Sequence, residues 1–137
     1  MRKRTYAREL SLQILYQVDI TGETVEAVLS RFWQNREEPC QEQVKNFTEG
    51  LVKGVTQNLA MIDERISEYA TNWQLKRMAV VDRNILRLSC YELLLREDIP
   101  PKVSINEAVE LAKKYSGPES GKFVNGILDR IKTEKSK

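Results

Sequence analysis

Apolar residues recur along this chain at three- and four-residue spacing, the period of an α-helix that buries one face. In residues 5–19, Ala7, Leu10, Ile14 and Val18 fall on one stripe, and Thr21-Gly22 breaks it. Val25, Val28, Leu29 and Phe32 mark a second helix, with Thr24 placed to cap it, and Glu37-Glu38-Pro39 ends that segment. Val44, Phe47, Leu51 and Val55 carry a third stripe, and Leu59, Ile62, Ile66 and Tyr69 a fourth. Thr71-Asn72 punctuates the pattern, and Trp73 and Leu75 are expected to plug the joint. A fifth helix runs from about Ala79 to Leu95, with Val81, Ile85 and Leu88 inward, and Asp98-Ile99-Pro100-Pro101 stops it because neither proline can continue a helix. Ser104-Ile105-Asn106-Glu107 reads as a capping box that opens a sixth helix through Tyr115. Ser116-Gly117 closes it, and Pro118 suits the first turn of a seventh helix with Val124, Ile127, Leu128 and Ile131 as its stripe. No run of alternating β-branched residues competes. The pattern predicts an all-α fold: a compact bundle of about seven short helices, in two subbundles spanning about residues 1–72 and 73–137.

Composition narrows this picture. The 137 residues, 41% hydrophobic and 31% charged, suit one globular domain with a real core. Six glycines and four prolines are too few for a loop-rich all-β protein. No apolar run approaches the roughly 20 residues that span a membrane, and no apolar stretch follows the charges of MRKRTYAREL, so neither a membrane helix nor a signal peptide is expected. Cys40 and Cys90 are isolated thiols that fit a reducing cytoplasm. The absence of histidine removes Ser-His-Asp and Cys-His catalysis and every His-containing metal site. A net charge of +2 says little about partners, but its distribution says more. Residues 1–8 hold Arg2, Lys3, Arg4 and Arg8 and no acid; residues 19–50 hold seven acids against three bases; residues 130–137 turn basic again. Such asymmetry can steer a polyanion to one end of a molecule, although short basic termini are also common as solvated ends.

Few residues suggest bond chemistry. Asp63 and Glu64 point to different helix faces, Glu107 is accounted for by the capping box, and Gly117, Gly121 and Gly126 form no phosphate-cradling loop. In Asp82-Arg83-Asn84-Ile85-Leu86-Arg87 the two arginines share a face with Asp82 at its rim, which fits either a solvated face with local ion pairs or a polar contact surface for a partner. Lys122, Phe123 and Asn125 bring a cation, a ring and an amide to the start of the last helix, the groups that hold splayed single-stranded bases and their phosphates. Phe123 alone would equally suit the core. Tyr6 and Tyr16 sit nearly three turns apart beside Arg4 and Arg8, where either RNA contact or ring burial explains them.

Together these segments resemble the NusB family over about Tyr6 to Ile131. The resemblance rests on Ala7-Arg8-Glu9 with Leu12–Gln17, on Ile62-Asp63 and Trp73, on VDRNILRLSCYELL (Val81–Leu94), and most specifically on IPPKVSINEAVELAKKY (Ile99–Tyr115) and KFVNGILD (Lys122–Asp129). It implies an all-α fold without catalytic residues, metal or cofactor. It also implies binding to boxA-containing single-stranded RNA with NusE, a ribosomal protein, within an RNA polymerase antitermination complex that favours ribosomal RNA operon transcription. The family's basic RNA surface falls on Arg2, Lys3, Arg4 and Arg8, its first-helix tyrosine on Tyr16, and its RNA-adjacent acid on Glu119, ahead of Lys122, Phe123 and Asn125. The partner surface falls on Asp82, with Arg83 beside it and Tyr69 aligned less closely. Whether the protein is a monomer or a homodimer stays open. The same module also occurs as a domain of rRNA cytosine methyltransferases, but 137 residues leave no room for a methyltransferase domain, which favours a freestanding factor. The rival reading is a helical protein–protein adaptor without specific RNA binding.

Overall fold

The computed structural model describes residues 2–70 and 74–135. Seven helices make up the described chain, with no strand among those residues: α1 Lys3–Thr21, α2 Val25–Gln34, α3 Glu42–Gln57, α4 Leu59–Tyr69, α5 Val80–Leu95, α6 Pro101–Tyr115 and α7 Pro118–Lys135, plus a single 3₁₀ turn at Leu75–Arg77. Trp73 and the expected division at residues 72 and 73 lie outside the described residues.

Local chemistry explains several helix ends. Thr24 Oγ1 accepts from the Ala27 amide at 3.2 Å, as a capping threonine should. Gly22 and Gly117 take positive φ of 72° and 114°, which glycine reaches without strain, and their amides return to Val18 and Ala112. Helix α6 departs from expectation. It begins at Pro101, three residues before Ser104, because a proline at the first helical position has no amide to leave unpaired. The capping box therefore does not form: Ser104 is buried inside the helix and donates to Glu92, while Glu107 accepts from α1.

The predicted stripes become one continuous core with residues from all seven helices, including Ile14, Val28, Leu51, Ile66, Leu88, Leu111 and Leu128. Helix α5 runs through its middle and touches α1, α3, α4, α6 and α7, while α6 and α7 pair closely with each other. A smaller cluster of Ala7, Leu10 and Val44, flanked by Tyr6, Phe32, Trp33 and Phe47, closes the gap between the head of α1 and α3. This packing sets the head of α1 at a junction. One flank borders α3 and the end of α5, and the other borders α6.

Candidate nucleic-acid interface

The head of α1 carries Arg2, Lys3 and Arg4 in or before a first turn that has no acid. Cations at a helix N-terminus oppose the helix dipole, which favours anions there; helix stability does not explain them, but a bound anion would. All three are exposed. Lys3 Nζ donates to Gln43 Oε1 at 2.9 Å. The Arg4 guanidinium lies 4.4 Å from the centroid of the Phe47 ring and only loosely, at 3.9 Å, from Asp98. Arg2 borders a hollow shared with Thr5 and with Val103, Asn106 and Glu107 of α6.

Arg8 is built differently. Only 2% exposed, it donates to both Glu92 carboxylate oxygens at 2.8 and 2.9 Å and to Glu107 at 3.2 Å. Ser104 Oγ adds a hydrogen bond to Glu92 at 2.8 Å, and Thr5 Oγ1 one to Glu107 at 2.6 Å. A buried carboxylate tolerates its desolvation only when paired and hydrogen-bonded in this way. Arg8 thus does not face solvent with the other three cations. It clamps the head of α1 to α5 and α6.

The flank toward α6 and α7 holds most of the remaining candidates. Glu9 accepts from Lys114 and, at 3.1 Å, from Tyr115 Oη. Tyr16 lies two turns further along that face of α1 and is 40% exposed. Glu119 and Lys122 form an exposed pair at 3.7 Å in the first turns of α7, and Asn125 is exposed one turn on. Phe123 is half-buried against the core and borders a hollow of about 260 Å³ with Arg77, Met78, Ala79 and Asp82. Asp82, expected on the partner side, and Phe123, expected on the RNA side, therefore share one hollow. Ser120 Oγ donates to Asp82 Oδ2 at 3.1 Å, while Asp82 Oδ1 is buried without a hydrogen-bond partner among the described residues.

Arg83 and Arg87 are neither a solvated face nor an open contact surface. Arg83 donates to both Asp19 oxygens at 2.7 and 2.8 Å, and Arg87 bridges Asp19 at 2.9 Å and Asp63 at 2.8 and 3.0 Å. This network ties α1 to α5 and α4. Burial alone would raise the Asp19 carboxyl, but hydrogen bonds from Arg83 and Asn84 and the charge of Arg87 outweigh it and hold the group below the ordinary value. Tyr69, at the end of α4, lies under the Arg130 guanidinium at 5.2 Å. Asp82 meets Ser120 and Tyr69 meets Arg130, so the two partner-side candidates contact α7 at points ten helical residues apart, about 15 Å along its axis.

Sequence reasoning missed a set of cations and rings between α1 and α3. Arg96 lies 5.2 Å from the Phe47 ring, beyond Arg4 and with Arg8 beneath at 5.6 Å. Arg36 donates to Tyr6 Oη and sits 5.5 Å from the Phe32 ring. Arg36 was hidden in the acid-rich stretch, and Arg96 stands alone beside a turn. Their convergence is tertiary. No group of acids and cysteines suited to a metal occurs among the described residues. Burial pushes the Cys90 thiol up to about 12, so it stays protonated and unreactive.

Exposed cations beside rings and amides gather at the head of α1 on an all-helical scaffold, the makeup of a helical binding module. The NusB family model matches residues 5–133, and the chain belongs to the NusB family. It is 54% identical over 129 residues to the transcription antitermination protein NusB of Anaeromyxobacter dehalogenans, covering 94% of this chain and 89% of that protein. The solved structure of T. maritima NusB is 43% identical with a TM-score of 0.87, covering 96% of this chain and 91% of that one. A chain in the crystal structure of antitermination factors NusB and NusE in complex with dsRNA is 28% identical with a TM-score of 0.88, over 98% of both chains. No helix among the described residues is long and apolar enough to cross a membrane.

Proposed function

We propose that this protein is a cytoplasmic transcription antitermination factor. It binds boxA-containing single-stranded RNA together with NusE, the ribosomal protein, and promotes ribosomal RNA operon transcription through the RNA polymerase–Nus factor complex. The observation that carries this reading is the end-to-end structural match, at a TM-score of 0.88, to a chain from the complex of NusB, NusE and dsRNA.

The mechanism is recruitment without bond chemistry. Arg2, Lys3 and Arg4 attract phosphates and set the register of the strand. Tyr16, Lys122, Asn125 and the edge of Phe123 meet unpaired bases along the α1–α7 face. Arg8 acts through position, holding the head of α1 at a fixed height above α6. Asp82 and Tyr69 lie on the partner side, where a donor from NusE would satisfy the buried Asp82 Oδ1; Arg83 holds the same helix in place through Asp19. NusE extends the RNA-binding surface, and whatever factor it adds to RNA affinity, RNA adds to NusE affinity.

Fluorescence anisotropy with labelled boxA RNA, a scrambled strand and a duplex control, with and without NusE, tests this. The expected result is preference for boxA that NusE strengthens. Equal, weak binding to all three RNAs with no effect of NusE would leave a helical adaptor.

A further inference from the structure

On the flank of α1 away from α6 lies a groove of about 650 Å³ that shares Lys3 and Arg4 with the basic head, while its α3 wall and Arg96 belong to no part of the RNA face described above. Lys3, Arg4 and Arg96 supply three cations, Gln43 and Asn46 two amides, and Phe47 a ring; among the described residues no carboxylate lines it. Resting on the RNA-binding reading, we infer that this groove holds a phosphodiester of single-stranded RNA flanking the boxA element, so that the strand crosses the head of α1 from the α6–α7 face onto α3.

Four observations carry this. Arg4 and Arg96 both lie over Phe47, at 4.4 and 5.2 Å, so their guanidinium groups are already gathered beside the groove. Arg96 is held in a two-pronged pair with Asp98, at 2.9 and 2.8 Å, yet the Asp98 side chain is 52% exposed and lies outside the groove lining. It is a solvent-facing counter-ion that a phosphate could replace in the same fork geometry. The groove also continues the basic head: Arg2 borders the α6 hollow while Lys3 and Arg4, its neighbours in sequence, border this groove.

The fourth is Gly50, in the middle of α3 and on the groove wall. A mid-helix glycine costs about 1 kcal/mol relative to alanine. At Gly54 the chain explains that cost, because the Tyr91 ring occupies the space a Cβ would take. At Gly50 nothing among the described residues lies within 4 Å of where a Cβ would sit and the backbone is ordinary helix, so no neighbour among those residues requires glycine there. The missing side chain leaves the wall open to close approach by a ligand. Amides beside a ring and cations suit the sugar and base of a nucleotide better than an acidic peptide, whose carboxylates would use the cations alone.

The test compares boxA RNA with boxA extended by single-stranded nucleotides on both sides, bound to the full chain with NusE. Wild type should bind the extended strand about tenfold more tightly, the worth of one charge-assisted contact. Gly50→Glu should abolish that gain with a much smaller loss on boxA alone, from the charge it sets near Lys3 and Arg4, and should leave the melting temperature unchanged or raised, since glutamate favours helix over glycine. Arg96→Ala should lower the log–log salt slope on the extended strand by about 0.7, one phosphate. Asp98→Asn, which frees Arg96, should enlarge the gain. No gain from extension in wild type, a gain that survives Gly50→Glu, or equal losses on both strands would overturn the inference. Loss of boxA preference over a scrambled strand would instead strike the RNA-binding reading beneath it.

Discussion

Arg4 and Arg8 stand one turn apart on α1, yet they belong to two regions built on opposite principles. At the rim, the Arg4 side chain is 55% exposed and has only a loose contact with Asp98 at 3.9 Å. In the seam between α1, α5 and α6, the Arg8 side chain is 3% exposed and saturated by Glu92 and Glu107. The same residue type serves as an open cation in one place and a structural rivet in the other. The supply of carboxylates from distant helices decides which. A run of arginines thus marks a polyanion surface only after those claimed by internal acids have been subtracted.

The sharpest way to break the comparison is to exchange the two sites. Arg8→Met leaves Glu92 buried and unpaired and should cost about 3–5 kcal/mol in denaturant unfolding. Arg4→Met should cost less than about 1 kcal/mol and show its effect in RNA affinity instead. Equal stability losses would erase the distinction.

Asp19 extends the seam. Asp19→Asn removes the charge that Arg83 and Arg87 share and should cost about 2 kcal/mol at neutral pH, less than for a fully buried pair. Its carboxyl is lowered in the folded state, so this contribution is present above the ordinary carboxylate pKa and lost as pH falls through the lowered value. The gap between wild type and Asp19→Asn should therefore close below about pH 4; a gap that stays constant into acid would show that packing, not charge, is at work. The smallest effect expected is at Ser104. Ser104→Ala removes one hydrogen bond to Glu92, about 1 kcal/mol, and circular dichroism should show helix content unchanged, as expected when Pro101 and not Ser104 starts α6. A loss of helix content would restore Ser104 as a cap.

The helical stripes were legible because period and stop signals agree: Ile14, Leu51, Ile66, Leu88 and Leu128 all reach the core as their spacing predicts. The capping box misled because the Ser-x-x-Glu spacing also recurs inside a helix, where Ser104 and Glu107 turn toward α5 and α1. The exposed candidates Arg2, Lys3, Arg4, Tyr16, Lys122 and Asn125 could be named from residue type, and Glu119 only from the family resemblance. Arg8 and Arg83 could not be distinguished from them, because their partners lie 84 and 64 residues away. Arg36, Phe47 and Arg96 share no sequence neighbourhood, so only folding brings them beside the head of α1.

The most direct test of the whole account is the salt dependence of boxA binding, in the presence of NusE, for wild type and for a protein with Arg2, Lys3 and Arg4 all changed to alanine. If those cations form the phosphate-binding rim, the log–log slope should flatten by about 2, three contacts at roughly 0.7 each, while the unfolding transition stays in place. An unchanged slope with an intact fold would contradict the assignment of the RNA interface to the head of α1.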